Sequence, residues 1–259
     1  MTAAAPTRKI AWRTATVVDV VPETSRTRTL LLDVPDWPGH RAGQHVDVRL
    51  TAEDGYQAER SYSIASAPGD SRLALTVEML DDGEVSPYLT EGLHSGDQLE
   101  LRGPIGGYFV WGVETGGPLF LVAGGSGIVP LMAMIRHRNS SLPVDNSDRR
   151  NLPAKLLYSS RSWEEVIYRD ELATLAASDP TLEIVHTITR NPPEGWTGYR
   201  RRIDRAMLAE TVWAASQNPR VFVCGPTPLV ETVAGALVEL GHQPALVKTE
   251  RFGPTGGPA

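Results

Sequence analysis

Leu119-Phe-Leu-Val-Ala-Gly-Gly-Ser-Gly127 is the stretch that decides the fold, because an uninterrupted apolar run ends in a glycine-rich turn. Such a run is typical of a parallel β-strand buried on both faces. Residues 128–138 then have a helical pattern, with Pro130 in the first turn, where its missing N–H costs little. The stretch therefore predicts a strand–turn–helix unit of an α/β sheet.

The turn itself, Gly124-Gly125-Ser126-Gly127, is a candidate anion site. It follows the carboxyl end of the strand, where open α/β sheets bind ligands. Glycines let a diphosphate approach the backbone, and the helix N-terminus behind them favours negative charge. Pro130 stands where the common Gly-x-Gly-x-x-Gly fingerprint has its third glycine, so a simple tight turn is the alternative interpretation.

Strand and helix patterns alternate through the rest of the C-terminal half. Further strands are predicted at residues 155–158, 183–188, 220–224 and 245–249, and further helices at 163–177, 203–215 and 229–240. Alternation of this kind predicts a doubly wound, parallel five-stranded sheet. The polar segment 141–153 is expected to be a surface loop.

The N-terminal half consists of short β-like segments separated by turn residues. Strands are predicted at residues 14–21, 28–34, 43–50, 72–80 and 97–102, with the segment around Arg60 as a sixth, which suggests a small antiparallel β-barrel. Ser86-Pro87 resembles the start of a helix over 86–93. We expect a barrel domain at residues 1–113 and an α/β domain at 114–259.

The composition excludes several classes of protein. Hydrophobic residues make up 41% and charged residues 22% of the 259 positions, as in ordinary soluble domains. The net charge of −6 argues against a nucleic-acid partner, and no apolar run approaches the roughly 20 residues that span a bilayer. Met1 to Lys9 lacks the apolar core of a secretory signal, so we expect a cytoplasmic protein without membrane insertion.

Cysteine and histidine usage argues against a metal or cluster held by this chain. The single cysteine, Cys224, cannot form an intramolecular disulfide or supply a four-cysteine cluster. The six histidines form no pair with metal-ligand spacing. We therefore expect no metal site.

Arg60-Ser61-Tyr62-Ser63 concentrates one cation, one aromatic ring and two hydroxyls in four residues. In an extended strand, Arg60 and Tyr62 face one side and the serines the other. A guanidinium can fork onto phosphate oxygens and a phenol can stack on a planar ring, as a cofactor with a diphosphate and a ring system requires. A partly exposed strand without a ligand is the alternative.

Two further segments have both a functional and a structural interpretation. Cys224-Gly225-Pro226 ends the fourth predicted parallel strand at the ligand-binding edge, although a free cysteine there is also commonly a small buried residue. Asp81 to Ser86 can form a hairpin turn and helix cap, or Ser86 can donate to a phosphate.

The order of these motifs resembles the ferredoxin–NADP reductase superfamily over residues 14–253. Arg-x-Tyr-Ser lies in a small barrel, Gly-Gly-x-Gly-Ile-x-Pro opens a parallel sheet, and Cys-Gly-Pro follows. The resemblance implies an N-terminal FAD-binding barrel and a C-terminal nicotinamide dinucleotide domain. It also implies hydride transfer from the nicotinamide to the flavin.

The resemblance assigns roles to residues of both halves. Ser63, Cys224 and Glu250 would act at the hydride-transfer site, and Phe252 would cover one flavin face. The cofactor-binding residues would be Arg60 on the FAD diphosphate, Tyr62 on the isoalloxazine, Ser63 near flavin N5, Ser86 on the flavin phosphates, Gly124, Gly125, Ser126 and Gly127 on the dinucleotide diphosphate, and Gly225 and Pro226 beside Cys224. Seven residues follow Phe252, and Ser126 replaces the commoner threonine; both are departures from the family pattern.

The end of the second parallel strand bears on the choice of nicotinamide. Tyr158-Ser159-Ser160-Arg161 has no acid at its tip, where an acid commonly binds the ribose 2′-hydroxyl and an arginine accommodates a 2′-phosphate. Ser160 and Arg161 therefore favour NADPH, with NADH possible. Additional charge from Arg190, Arg200 and Arg201 would support this, unless these arginines are solvated surface. Ser162 and Glu165 have the spacing of a helix capping box.

The expected activity is electron transfer from NADPH through FAD to a separate acceptor, such as a ferredoxin-type iron–sulfur protein. A flavin reductase that supplies a monooxygenase is one alternative. A non-catalytic flavin-bound sensor or assembly subunit is the other.

Overall fold

The structure, a computed structural model, describes residues 10–142 and 151–252. Residues 1–9, most of the predicted loop at 141–153 and the seven residues after Phe252 lie outside the described residues. The described residues form one antiparallel six-stranded sheet and one parallel five-stranded sheet. The predicted two-part architecture is confirmed.

Six strands with the order β4-β3-β6-β1-β2-β5 build the N-terminal sheet, and all their pairings are antiparallel. The two edge strands approach each other through a bridge between Ile64 and Leu75, which closes the sheet toward a barrel. Alternate residues such as Val46 and Val48 fill its interior. The strands are β1 Trp12–Pro22, β2 Thr27–Asp33, β3 His45–Thr51, β4 Gln57–Ser63, β5 Leu73–Glu78 and β6 Gln98–Ile105.

The C-terminal sheet has the order β11-β10-β7-β8-β9, and every pairing is parallel. The order reverses between β7 and β10, and open α/β sheets bind ligands at such a switch point. Its elements are β7 Leu119–Gly124, α1 Ile128–Ser141, β8 Ala154–Ser162, α2 Arg169–Ser178, β9 Leu182–Asn191, α3 Arg205–Thr211, β10 Arg220–Pro226, α4 Thr227–Glu239 and β11 Val247–Phe252.

Two predicted helices differ from the structure. The helix expected from Trp163 begins only at Arg169, because Val166, Ile167 and Tyr168 are buried in a turn that leads into it. Ser162 closes β8 and is not a helix cap, so the capping box is wrong. The helix expected at 86–93 is present, with Ser86 and Pro87 helical and a π-helix at Tyr88–Gly92, but Ser86 lies within it and does not cap it.

The two halves share one hydrophobic core. Ala42, Ala65 and Phe109 from the N-terminal half pack in the same cluster as residues of α1 and β7. The rings of Phe109 and Phe222 meet edge to face, with centroids 5.3 Å apart. The barrel and the parallel sheet are therefore held together by buried apolar contacts.

The described residues lack two features, a membrane-spanning helix and a metal-binding cluster. None of their helices combines the length and the apolar character that crossing a membrane would need. They also contain no group of three or more side chains arranged to hold a metal ion.

Candidate functional site

A cleft of about 470 Å³ lies between the barrel and the carboxyl edge of the parallel sheet. Strands of the barrel supply one wall, and the glycine turn with the ends of β10 and β11 supplies the other. Several predicted site residues that lie far apart in sequence therefore meet here. The lining residues are His45, Ser61, Ser63, Ser126, Pro130, Cys224, Glu250, Arg251 and Phe252.

Ser63 and Glu250 make a polar contact across this cleft. Ser63 is the last residue of β4, and its Oγ donates to Glu250 Oε1 over 3.5 Å. Burial raises the pKa of Glu250 to about 7, although the contact with Ser63 opposes that shift. The Glu250 carboxyl can therefore hold or release a proton near neutral pH.

Cys224 lies beside Glu250, because the two are register partners on adjacent parallel strands. Its side chain is only 2% exposed. Burial, together with the nearby Glu250, raises the pKa of the Cys224 thiol well above its ordinary value. A neutral thiol at this position can pack against a ligand and is a poor nucleophile.

The glycine turn approaches β10 closely. A Cβ at Gly127 would lie 2.2 Å from the carbonyl oxygen of Cys224, so no larger residue fits there. Gly125 has a φ of 53°, in the left-handed region that glycine tolerates. The buried Tyr158 hydroxyl donates to the Gly125 carbonyl over 3.1 Å and so orients the turn.

A smaller cleft of about 170 Å³ continues on the other side of the glycine turn. Ser160 and Arg161 line it, as does Pro226, so these three predicted cofactor-binding residues lie together. Glu165 and Glu78 line the same cleft. The tip of the second parallel strand therefore carries the cation Arg161 and shares its cleft with two carboxylates, Glu165 and Glu78. The sequence predicted no acid at this tip.

Phe252 lines both clefts from the end of β11. Its side chain is 36% exposed. An aromatic ring at this junction is placed to contact ligands on either side of it. Its predicted role as a cover for the flavin stays a prediction.

Three predicted flavin-binding residues lie outside the two clefts. Arg60 is exposed and forms an ion pair with Glu84 at 2.9 Å. Tyr62 packs against the barrel core, and burial raises its pKa to about 12. Ser86 is buried, and its Oγ accepts a hydrogen bond from Leu80 N over 3.0 Å.

Sequence reasoning missed His45 in the larger cleft and Glu165 in the smaller one. His45 is the register partner of Ser63, a relation that only the β3–β4 pairing reveals. Burial lowers the pKa of His45, so its imidazole is neutral at physiological pH. Glu165 was assigned to a helix, whereas it lies in the turn four residues beyond Arg161.

The fold and the shared cleft define a class: a protein whose antiparallel barrel and parallel α/β sheet form one cleft at the carboxyl edge of the sheet. Family models agree, since residues 15–110 match an oxidoreductase FAD-binding domain and residues 121–235 an oxidoreductase NAD-binding domain. The chain belongs to the ferredoxin–NADP reductase family, and its cofactors are FAD and a nicotinamide dinucleotide.

Similar proteins carry names that involve several electron acceptors. The chain is 31% identical to the glycine betaine monooxygenase reductase subunit of Chromohalobacter salexigens over 92% of its own length and 63% of that protein's. It is 30% identical to NADH-cytochrome b5 reductase 1 of Aspergillus terreus, over 78% of the chain and 68% of the relative. A solved Amycolatopsis cytochrome P450 reductase superposes with a TM-score of 0.79 at 26% identity, covering 95% and 71% of the two chains.

The matches do not extend over the whole of these relatives. In several fungal cytochrome b5 reductases the chain covers 65% of the relative's length.

Proposed function

We propose that this chain transfers hydride from a nicotinamide dinucleotide to FAD and then passes electrons singly to a separate acceptor. The observation that carries the proposal is the cleft in which Ser63 of the barrel meets Cys224 and Glu250 of the parallel sheet. FAD and the nicotinamide supply the redox chemistry, and the chain aligns them and shapes their electrostatic surroundings.

The residues along β4 fit a cofactor that has two parts joined by a diphosphate. Ala58 lines a groove of about 640 Å³ on the barrel, whereas Ser61 and Ser63 line the interdomain cleft. Arg60 lies between these two ends of the strand. We assign Arg60 to the FAD diphosphate, the groove to the adenosine part and the Ser63 end to the flavin ring.

Anaerobic titration of the purified flavoprotein tests the proposal. Addition of NADPH or NADH is expected to bleach the visible flavin absorbance, and ferricyanide is expected to restore it. A yellow protein that neither nicotinamide bleaches would refute the proposal and would favour a non-catalytic flavin-bound subunit. A flavin that separates from the protein on a desalting column would favour a flavin reductase.

For the nicotinamide, we propose NADPH, held by Ser160 and Arg161. The exposed Arg161 side chain lines the smaller cleft and offers a fork of donors that suits a phosphate. Arg201 is less suitable, because it pairs with Asp204 at 2.7 Å. Glu165 opposes the proposal, since a carboxylate in the cleft repels a 2′-phosphate and can accept from a 2′-hydroxyl.

Replacing Arg161 with alanine is expected to lower kcat/KM for NADPH by roughly tenfold or more, as for loss of a hydrogen bond to a charged group. The value for NADH is expected to change less than about twofold, because no charged partner is lost. Steady-state kinetics with ferricyanide measure both. Glu165→Gln is the matched variant and should raise kcat/KM for NADPH, because it removes a carboxylate that repels the 2′-phosphate. If Arg161→Ala lowered kcat/KM equally for NADPH and NADH, Arg161 would not be the residue that binds the 2′-phosphate.

For the acceptor, we propose a ferredoxin-type iron–sulfur protein. The one cysteine of this sequence is buried in the cleft and cannot ligate a cluster. The names of the relatives favour a second candidate, a haem protein such as cytochrome b5. Reduction rates with a [2Fe–2S] ferredoxin and with cytochrome b5, measured side by side with the same reduced enzyme, distinguish the two.

A further inference from the structure

Tyr168 has an uncommon backbone conformation at the junction of the two halves. It precedes α2 with a φ of 59° and a ψ of 25°, a left-handed conformation that bulky residues rarely adopt. Its side chain is only 2% exposed. Strain of this kind persists only where the surrounding contacts impose it, and it is often found at functional positions.

The Tyr168 hydroxyl begins a chain of hydrogen bonds that crosses into the barrel. It donates to Thr76 Oγ1 on β5. Thr29 Oγ1 donates to a carboxylate oxygen of Glu23 over 2.7 Å, so it accepts from Thr76 Oγ1 over 2.8 Å. All three hydroxyls therefore donate in one direction, toward a carboxylate, and each bond polarises the next.

Arg136 on α1 makes a second link between the halves. Its guanidinium carbon lies 4.8 Å from the centroid of the Tyr168 ring. Its Nε and Nη2 donate to the two carboxylate oxygens of Glu171 over 2.9 and 2.6 Å. Its Nη1 also donates to the carbonyl of Ala65 over 2.8 Å. Ala65 comes two residues after Ser63, so Arg136 holds the end of the strand that carries Ser63.

The residue next to Tyr168 is tied to the glycine turn. Ile167 N donates to the Tyr158 hydroxyl over 3.3 Å, and that hydroxyl donates to the Gly125 carbonyl over 3.1 Å. Ile167 and Gly125 both line the smaller cleft. Ile167 and Tyr168, which are consecutive in one short turn, thus connect the glycine turn with the barrel.

We infer that Tyr168 and Arg136 are positioning residues that set the distance between the glycine turn and the Ser63 strand. The inference rests on the proposed function, in which a nicotinamide held by the glycine turn must meet a flavin held by the Ser63 strand. Reacting atoms must come within about 3–3.5 Å, and a displacement of about 1 Å is costly. Tyr168 lines neither cleft, so it acts through the backbone that it anchors.

Stopped-flow reduction of the FAD-loaded protein tests this role with Tyr168→Phe, which removes only the hydroxyl. The rate of flavin reduction at saturating NADPH is expected to fall on the order of tenfold, with the dissociation constant changed less than about twofold. Thr76→Val should have the same effect, and the double variant should be no slower than either single variant, because both break one link. Tyr199→Phe is the control, since the Tyr199 hydroxyl donates to Glu210 within the parallel-sheet half at 2.5 Å.

Amide hydrogen exchange provides a readout that does not depend on activity. In Tyr168→Phe, exchange should accelerate both in β5 and in the glycine turn while the protein stays folded. Faster exchange confined to the turn before α2, or a lowered Tm with an unchanged reduction rate, would overturn the positioning role. If NADPH and NADH both fail to reduce the wild-type flavin, the proposed function fails instead, and the exchange experiment still tests the link.

Discussion

Gly127→Ala is expected to lower the free energy of unfolding by about 3 kcal/mol, the upper range for overpacking a tight site. The added Cβ would lie 2.2 Å from the Cys224 carbonyl oxygen and 2.8 Å from Gly225 N. Both contacts are with backbone, so the glycine turn must move away from β10. Chemical denaturation measures the loss of stability, and a raised KM for NADPH should accompany it, because the turn forms part of both clefts.

Gly235→Ala is the matched control for this substitution. Gly235 is exposed on α4, and a Cβ there would meet nothing within 4 Å. Alanine is the better helix former, so this variant should gain roughly 0.5–1 kcal/mol. A Gly127→Ala protein whose stability lies within about 1 kcal/mol of the parent would contradict the close approach of the turn to β10.

Glu250→Gln is expected to remove the main pH dependence of flavin reduction. The pKa of Glu250, raised to about 7 by burial, means that the carboxyl is protonated below that pH and ionised above it. The ionised Glu250 carboxylate would stabilise the positive charge that hydride donation would leave on a nicotinamide bound in the cleft. The rate should therefore rise on the order of tenfold as pH increases from about 6 to about 8.

The glutamine variant should instead be slow at every pH, close to the rate of the wild type at low pH. Stopped-flow reduction by NADPH across this pH range measures both profiles. Glu239→Gln, at an exposed glutamate on α4, should keep the wild-type profile. An inflection near pH 7 that persists in Glu250→Gln would assign the titration to another group.

Much of the fold could be predicted because its signals are local. The apolar run at Leu119 and the glycine turn after it identified β7 and the start of α1, both of which the structure has. The helix expected from Trp163 exists, but its predicted start was wrong, because the core buries Val166, Ile167 and Tyr168 in a turn before Arg169. A periodic pattern shows which residues are buried, and several backbone conformations can bury them.

The candidate site could be predicted only in part. Ser63, Cys224 and Glu250 were named from motifs, and they do share one cleft. Tyr62 is partly buried against the barrel core and lines neither cleft, so its expected contact with a flavin ring stays a prediction.

The sequence by itself determined the succession of elements and the positions of the glycine, serine and cysteine motifs, since these depend on residues near one another in the chain. Only the tertiary structure decided that Ser63 meets Glu250 across 187 residues, and that Glu165 shares a cleft with Arg161. The reason is physical: strand register and the packing of two halves are set by the burial of distant surfaces, and no local pattern contains that information.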